Sequence, residues 1–118
     1  SAHSDERIKE NITSVGTVLP SLMNMQCVKY NLKTDPGNTK IGFIAQDWET
    51  NFPEVVDEQS DMVIESDGSV GMAHASESTT PVKGMSYTET IPLLLKAIQE
   101  QQNLIETLQT KVAALEAK

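Results

Sequence analysis

The sequence predicts an α+β fold in which a small head of short helices and β-hairpins precedes a long C-terminal helix. Two observations predict the head: short apolar stretches alternate with polar residues, and turn sequences such as Asp67-Gly68 interrupt them. The third predicts the helix, because apolar residues recur at heptad spacing from Ile91 onwards. These patterns place the head at residues 1–86 and the helix at residues 87–118.

The first residues favour a short helix that begins at Ser4 and ends near Gly16. A serine followed by two acidic residues is typical of a helix start, and two isoleucines follow at a spacing of one helical turn. A second short helical turn is predicted at residues 18–23, where Pro20 lies near the first position.

The first predicted hairpin is antiparallel and consists of strands at residues 25–33 and 40–46. The sequence Asp35–Asn38 between them is typical of a turn. Cys27 lies in the first strand and is expected to be a small buried hydrophobic residue. A single helical turn is predicted next, at residues 47–52.

The second predicted hairpin consists of residues 61–66 and 69–72, which flank Asp67-Gly68. Residues 73–81 are polar and show no periodic pattern. We therefore expect a loop there, which leads to the long helix.

The heptad pattern of the C-terminal helix predicts an oligomer. A helix with such a stripe has to bury it, and a symmetric partner is the simplest cover in so short a chain. The alternative is an amphipathic helix that packs on its own head. Thr88 or Thr90 is the expected N-cap, and Pro92 is expected in the first turn. The seam residues are Ile91, Ile98, Ile105 and Val112 at the first heptad position and Leu94, Gln101, Leu108 and Leu115 at the second.

Composition excludes several classes of function. The net charge is −8, and residues 47–89 hold ten acidic residues against one basic residue, which disfavours binding to nucleic acid or to anionic membranes. A single cysteine excludes an intrachain disulfide, and no zinc, calcium or phosphate-loop motif is present. We expect no metal, no cofactor and no membrane span. No signal peptide is recognised, which suits a reducing cytosol or a fragment of a larger protein.

Ser4 and Lys9 carry the two groups that a serine–lysine dyad requires, a hydroxyl nucleophile and an amine base. A helix N-cap also explains Ser4, and a surface position explains Lys9. In a regular helix, residues five apart lie about 140° apart around the axis. A working dyad therefore requires either a non-helical Ser4 that folds back towards Lys9 or a pair formed between neighbouring subunits.

Five blocks of sequence, in this order, resemble the C-terminal intramolecular chaperone domain of phage tailspikes, endosialidases and tail fibres. A related autoproteolytic domain occurs in myelin regulatory factor. The first two blocks are the most specific, and the resemblance covers essentially the whole chain. The blocks are Ser4-Asp5-Glu6-Arg7-Ile8-Lys9-Glu10-Asn11-Ile12, Ile41-Gly42-Phe43-Ile44-Ala45-Gln46, Phe52-Pro53-Glu54-Val55-Val56, Ser86-Tyr87 and Ile91-Pro92-Leu93-Leu94-Leu95-Lys96-Ala97-Ile98-Gln99-Glu100.

The resemblance implies a self-cleaving serine endopeptidase that acts once. It assigns Ser4 as the nucleophile and Lys9 as the general base. The cut is expected beside Ser4, either at His3–Ser4 or at Ser4–Asp5. Whether the dyad forms within one subunit or between two stays open, and no cofactor is implied.

The resemblance also implies a homotrimer, although β-branched residues at the first seam position with leucine at the second favour a parallel dimer. Gln101 in the seam fits a broader bundle with a polar layer. The implied client is an upstream β-rich fibre segment of the same polypeptide, aligned in the host cytoplasm during virion assembly. The domain would then be released from the mature fibre. A non-proteolytic trimerisation tip and a receptor-binding tip are the alternatives.

Overall fold

A computed structural model describes residues 3–118, which form an α+β fold with two small sheets and a long C-terminal helix. The predicted fold class and the long helix are confirmed. The described residues extend over 72 × 41 × 25 Å because the helix projects from the head. The elements are α1 (Leu19–Leu22), β1 (Val28–Leu32), β2 (Asp35–Gly42), α2 (Ala45–Glu49), β3 (Val56–Ile64), β4 (Val70–Met72), β5 (Pro81–Met85) and α3 (Tyr87–Glu116), with 3-10 turns at Glu6–Ile8, Pro53–Val55 and Ala73–Ala75.

Strands β1 and β2 form the first predicted hairpin, but its turn lies earlier than expected. Leu32 pairs with Asp35, so the connection falls between them and Asp35–Asn38 belongs to the strand. The Asn31 side chain donates hydrogen bonds to the Pro36 carbonyl (3.0 Å) and to Thr39 Oγ1 (3.2 Å), beside an irregularity in the register. These bonds hold a proline-containing segment in an edge strand.

Cys27 is exposed, which corrects the expectation that it is buried. It precedes β1 and lies outside the paired part of the hairpin, because β1 begins only at Val28. The helical turn expected at residues 47–52 is α2, which begins earlier, at Ala45.

The second sheet has the strand order β4-β3-β5, with β3 antiparallel to both neighbours. The predicted hairpin around Asp67-Gly68 is present, and Gly68 adopts a φ of 83° that suits its lack of a side chain. Strand β5 was not predicted. It contains Pro81 and Gly84, residue types that are depleted in strands, and it forms because β3 supplies its partner groups.

The core of the head is one apolar cluster that joins α3 to the short elements. Val18, Trp48, Val55, Leu93 and Ala97 are all buried in it. Trp48 packs against the tilted rings of Phe43 and Phe52 at centroid distances of 5.0 and 5.8 Å, which favours the attraction between ring edges and faces. The cluster fixes the first turns of α3 against the head.

Helix α3 begins at Tyr87, earlier than the expected threonine caps. Its N-cap is Ser86, whose side chain forms no capping bond and whose backbone N–H donates to the Val55 carbonyl at 2.9 Å. Thr90 is buried and donates its hydroxyl to the Tyr87 carbonyl at 2.6 Å. Pro92 therefore lies beyond the first turn, which corrects its predicted position. Tertiary contacts, rather than a side-chain cap, fix where this helix starts.

Candidate active site and helix seam

The N-terminal residues 3–17 are all exposed and form only a single 3-10 turn, Glu6–Ile8. The predicted helix from Ser4 to Gly16 is wrong. The residues that follow the turn include several β-branched residues, which are poor helix formers. Asn11 also adopts a positive φ of 54°, which a continuous helix does not permit.

Ser4 and Lys9 lie together in the same chain. The Lys9 Nζ atom donates a hydrogen bond to Ser4 Oγ at 2.8 Å. Ser4 precedes the 3-10 turn, and Lys9 ends it in an extended conformation (φ −111°, ψ 147°). The reversal of the chain over this one turn brings the two side chains within contact. Both residues, and the adjacent His3, are exposed in the single chain.

The N-cap of the turn is Asp5, not Ser4. Its Oδ1 accepts the backbone N–H of Arg7 at 2.9 Å, and its carboxylate also binds the Arg7 side chain, with Nη2–Oδ2 at 2.7 Å. The Arg7 guanidinium, together with that N–H, holds the pKa of Asp5 below its ordinary range. Because Asp5 satisfies the free N–H of the turn, the Ser4 hydroxyl stays available to Lys9.

The second specific block of the sequence, around Gly42-Phe43, has a packing role. The Phe43 N–H donates to the Tyr87 hydroxyl at 2.8 Å, and a Cβ at position 42 would clash with that same hydroxyl. The Phe43 ring packs against Trp48 and Tyr87. Only glycine therefore allows β2 to approach the start of α3 so closely.

Helix α3 has two distinct apolar faces. The head-facing side consists of Thr90, Leu93 and Ala97, which are buried. Glu100 extends this face, and its Oε2 accepts the N–H groups of Val18 (3.0 Å) and Leu19 (2.9 Å) at the start of α1. Glu100 was not among the residues predicted from the sequence. Residues 90, 93, 97 and 100 are three or four apart, and this spacing could have placed Glu100 on the same helix face as the buried residues.

The seam forms the other face and is exposed along its whole length. The helix packs on its own head, as the alternative interpretation proposed, but through residues that are not in the seam. From Gln101 to the C-terminus every residue is exposed. The apolar seam residues Ile91, Leu94, Ile98, Ile105, Leu108, Val112 and Leu115 are between 42 and 65% exposed.

Neither a metal cluster nor a membrane span is found in the described part of the chain. Residues 3–118 contain no group of three or more His, Cys, Asp or Glu side chains arranged to hold a metal ion. No helix in the same range is both long and apolar enough to cross a bilayer.

Comparison with protein families gives one match, which begins at the dyad. Residues 4–57 match a family model whose description is "Chaperone of endosialidase". Residues 4–57 are therefore similar to the chaperone-of-endosialidase family. The resemblance seen in the sequence is thereby confirmed, and an intramolecular chaperone role is supported. No curated protein matches the chain significantly.

The matched segment includes the two most specific blocks of the sequence, residues 4–12 and 41–46, and thus Ser4, Lys9 and Gly42. The family is named as a peptidase family, which supports the class of activity implied by the dyad. The match ends within β3, so the whole of α3 and its seam lie outside it. The evidence for the helix therefore comes from its own sequence pattern and exposure.

Proposed function

We propose that this chain is a homotrimeric intramolecular chaperone that aligns an upstream β-rich fibre segment and then cuts itself beside Ser4. The observation that carries the proposal is the hydrogen bond of 2.8 Å between Lys9 Nζ and Ser4 Oγ within a segment that matches the chaperone family. A nucleophile and its base have to lie within such a distance for proton transfer.

The chemistry starts when the neutral amine of Lys9 takes the proton of the Ser4 hydroxyl as Oγ adds to the His3 carbonyl carbon. The tetrahedral intermediate then breaks the His3–Ser4 peptide bond, and the new Ser4 amine takes the proton from Lys9. Water hydrolyses the resulting ester, which leaves a carboxylate on His3 and restores the hydroxyl of Ser4. The initial attack of Ser4 Oγ on the His3 carbonyl carbon closes a five-membered ring.

A cut at Ser4–Asp5 has a different geometric requirement. Attack by a serine hydroxyl on its own carbonyl carbon would close a strained four-membered ring. That bond would therefore have to be attacked by Ser4 of a neighbouring subunit. The intrachain position of Lys9 beside Ser4 favours the His3–Ser4 bond.

The exposure of the dyad links the cut to assembly. A lysine acts as a general base only in its neutral form, and removal from water favours that form. Ser4 and Lys9 both face solvent in the single chain. A neighbouring subunit of the trimer therefore has to cover the pair. A cut that waits for this cover occurs only after successful assembly.

In this proposal the chains associate through the seam of α3. Seven apolar seam residues are about half-exposed in a single chain, and burying the exposed part of each between helices stabilises the oligomer by roughly 1 kcal/mol. Gln101 interrupts the apolar layers with a polar one, which sets the register of parallel helices at a cost in stability. We propose three helices rather than two because the neighbouring Leu95 and Leu104 are also exposed and widen the stripe.

The proposed client gains from being held in register. Long-range β pairing is slow, and unpaired strand edges aggregate while they wait. Helices that associate through local contacts fix the number and alignment of the chains before the fibre folds. This work would take place in the host cytoplasm, and the cut would release the chaperone from the mature fibre.

The test uses a fusion in which a folded reporter protein precedes Ser1, hereafter the reporter fusion. The wild type should release the reporter, and mass spectrometry should find one new terminus at Ser4. Ser4→Ala and Lys9→Ala should each abolish release. Ser14→Ala, which removes another exposed hydroxyl of the same segment, should leave it unchanged. Release that persists in Ser4→Ala would refute the dyad.

A second function, a non-proteolytic trimerisation or receptor-binding tip, is favoured by the solvent exposure of Ser4 and Lys9. An exposed serine and lysine in contact also occur without any catalytic role. An intact reporter fusion of trimeric mass would support this second function and exclude the first.

A further inference from the structure

Asp5 and Arg7 lie between Ser4 and Lys9 in sequence, and several hydrogen bonds join them although both are on the surface. Besides the backbone bond and the Nη2–Oδ2 contact, Arg7 Nε lies 3.1 Å from Oδ1 and 3.3 Å from Oδ2 of Asp5. Both carboxylate oxygens therefore bind one residue. The Arg7 side chain is 88% exposed, and its partner side chain is 46% exposed.

Stability of the fold does not account for this pair. Exposed ion pairs contribute little to folding because water competes for both charges. Neither residue belongs to the buried cluster of the head. What the pair does determine is local: Asp5 caps the 3-10 turn across which the two ends of the dyad meet.

The charges of the segment explain why an arginine is needed. Arg7 and Lys9 are the only arginine or lysine side chains in the first 28 residues, and Asp5 is the neighbour of Ser4 in the chain. A carboxylate without Arg7 would find its nearest cation, in sequence, in Lys9. An Asp5–Lys9 ion pair would draw the amine away from the Ser4 hydroxyl and favour its charged form, which cannot act as a base.

We infer that Asp5 and Arg7 are positioning residues for the Ser4–Lys9 pair. Asp5 holds the turn that brings Lys9 back to Ser4, and Arg7 occupies the Asp5 carboxylate so that it does not bind Lys9. This inference rests on the proposed self-cleavage, and it adds two residues to the site without giving either a chemical step.

The decisive experiment compares cleavage rates of the reporter fusion in three variants. Arg7→Ala frees the carboxylate and should slow release on the order of tenfold or more, since small displacements of reacting groups cost that much. Asp5→Asn keeps an oxygen that caps the turn but carries no charge to hold Lys9. Asp5→Asn combined with Arg7→Ala should therefore cut faster than Arg7→Ala alone.

That rescue separates positioning from a merely structural effect, because the double variant lacks more of the native contacts than the single variant does. Asp67→Ala is the matched control. Asp67 is also exposed and also accepts a backbone N–H two residues along at 2.9 Å, from Ser69, but far from Ser4 in sequence. It should cut at the wild-type rate.

The outcomes distinguish this inference from the function on which it rests. If Ser4→Ala still cuts, the self-cleavage proposal fails. If Ser4→Ala is inactive but Arg7→Ala cuts at the wild-type rate, only the positioning role fails. A double variant no faster than Arg7→Ala also overturns that role.

Discussion

The two ends of the chain are both exposed to solvent, but the N-terminal end exposes paired polar groups and the C-terminal end exposes an apolar stripe. The N-terminal segment, residues 3–17, holds polar groups that already contact one another, as in the pairs Ser4–Lys9 and Asp5–Arg7. The free helix, residues 101–118, carries an apolar stripe that stays exposed to solvent. The polar groups of the first end already have partners within the chain, whereas the apolar stripe of the second end stays exposed.

This difference indicates how the ends depend on one another. Polar contacts within one turn form without a second chain, but an apolar seam stabilises nothing until helices associate. The core between the two ends fixes the start of α3 against the head through Leu93 and Ala97. We therefore propose that association at the C-terminus supplies the cover that the N-terminal dyad requires.

The largest expected effect comes from placing charges in the seam. Ile98→Glu combined with Ile105→Glu would bury unpaired carboxylates at a cost of several kcal/mol each. Light scattering should then show a monomer for this variant and a trimer for the wild type. Gln99→Glu combined with Thr110→Glu adds the same two charges off the seam and should remain trimeric. A trimeric double seam variant would contradict the assignment of the seam.

A smaller effect should appear in the anchored part of the same helix. Leu93 is 8% exposed in the head core, so Leu93→Ala should lower the free energy of unfolding by about 2–5 kcal/mol. Urea unfolding in the monomeric seam variant isolates the head from the oligomer. Leu95→Ala removes the same atoms from a site that is 55% exposed, and its effect should stay within about 0.5 kcal/mol. Equal losses would show that the two faces are not distinct.

Glu100 tests where the anchored part of the helix ends. Glu100→Ala removes the acceptor of two N–H groups of α1, and it should cost about 1–3 kcal/mol in the same unfolding measurement. Glu106→Ala, further along in the free helix, should cost far less. If both cost the same, the boundary at Gln101 is wrong.

The smallest effect concerns the N-terminal segment and its pH dependence. Because the pKa of Asp5 is lowered by Arg7, its capping contacts are complete above the ordinary range of aspartate and are lost as pH falls through the lowered pKa. Carboxyl NMR titration should show a midpoint below that range in the wild type. The midpoint should rise in Arg7→Ala. An identical midpoint in both chains would show that the ion pair does not form in solution.

The periodic parts of the fold could be predicted from the sequence. Heptad spacing indicated the long helix, and Asp67-Gly68 indicated the second hairpin, because both patterns are local. Strand β5 and the start of α3 could not be predicted, because they depend on distant partners such as β3 and the Val55 carbonyl. Residue spacing also favoured an N-terminal helix where only one 3-10 turn forms.

For the candidate site, the sequence resemblance supplied Ser4 and Lys9, and their roles remain predictions. Helix geometry left two arrangements open, a non-helical Ser4 that folds back to Lys9 or a pair between neighbouring subunits, and the single chain has the first. The capping role of Asp5 and its pairing with Arg7 could not be foreseen, because both Ser4 and Asp5 are good N-cap residues. Only the folded turn shows which of the two is used.

The most direct measurement of the central claim is the release rate of the reporter fusion as a function of its oligomeric state. We expect the wild type to cut at Ser4, and we expect Ile98→Glu combined with Ile105→Glu, as a monomer, to cut at least about a hundredfold more slowly. The off-seam control should cut like the wild type. A monomeric variant that cuts at the full rate would contradict the dependence of the dyad on assembly.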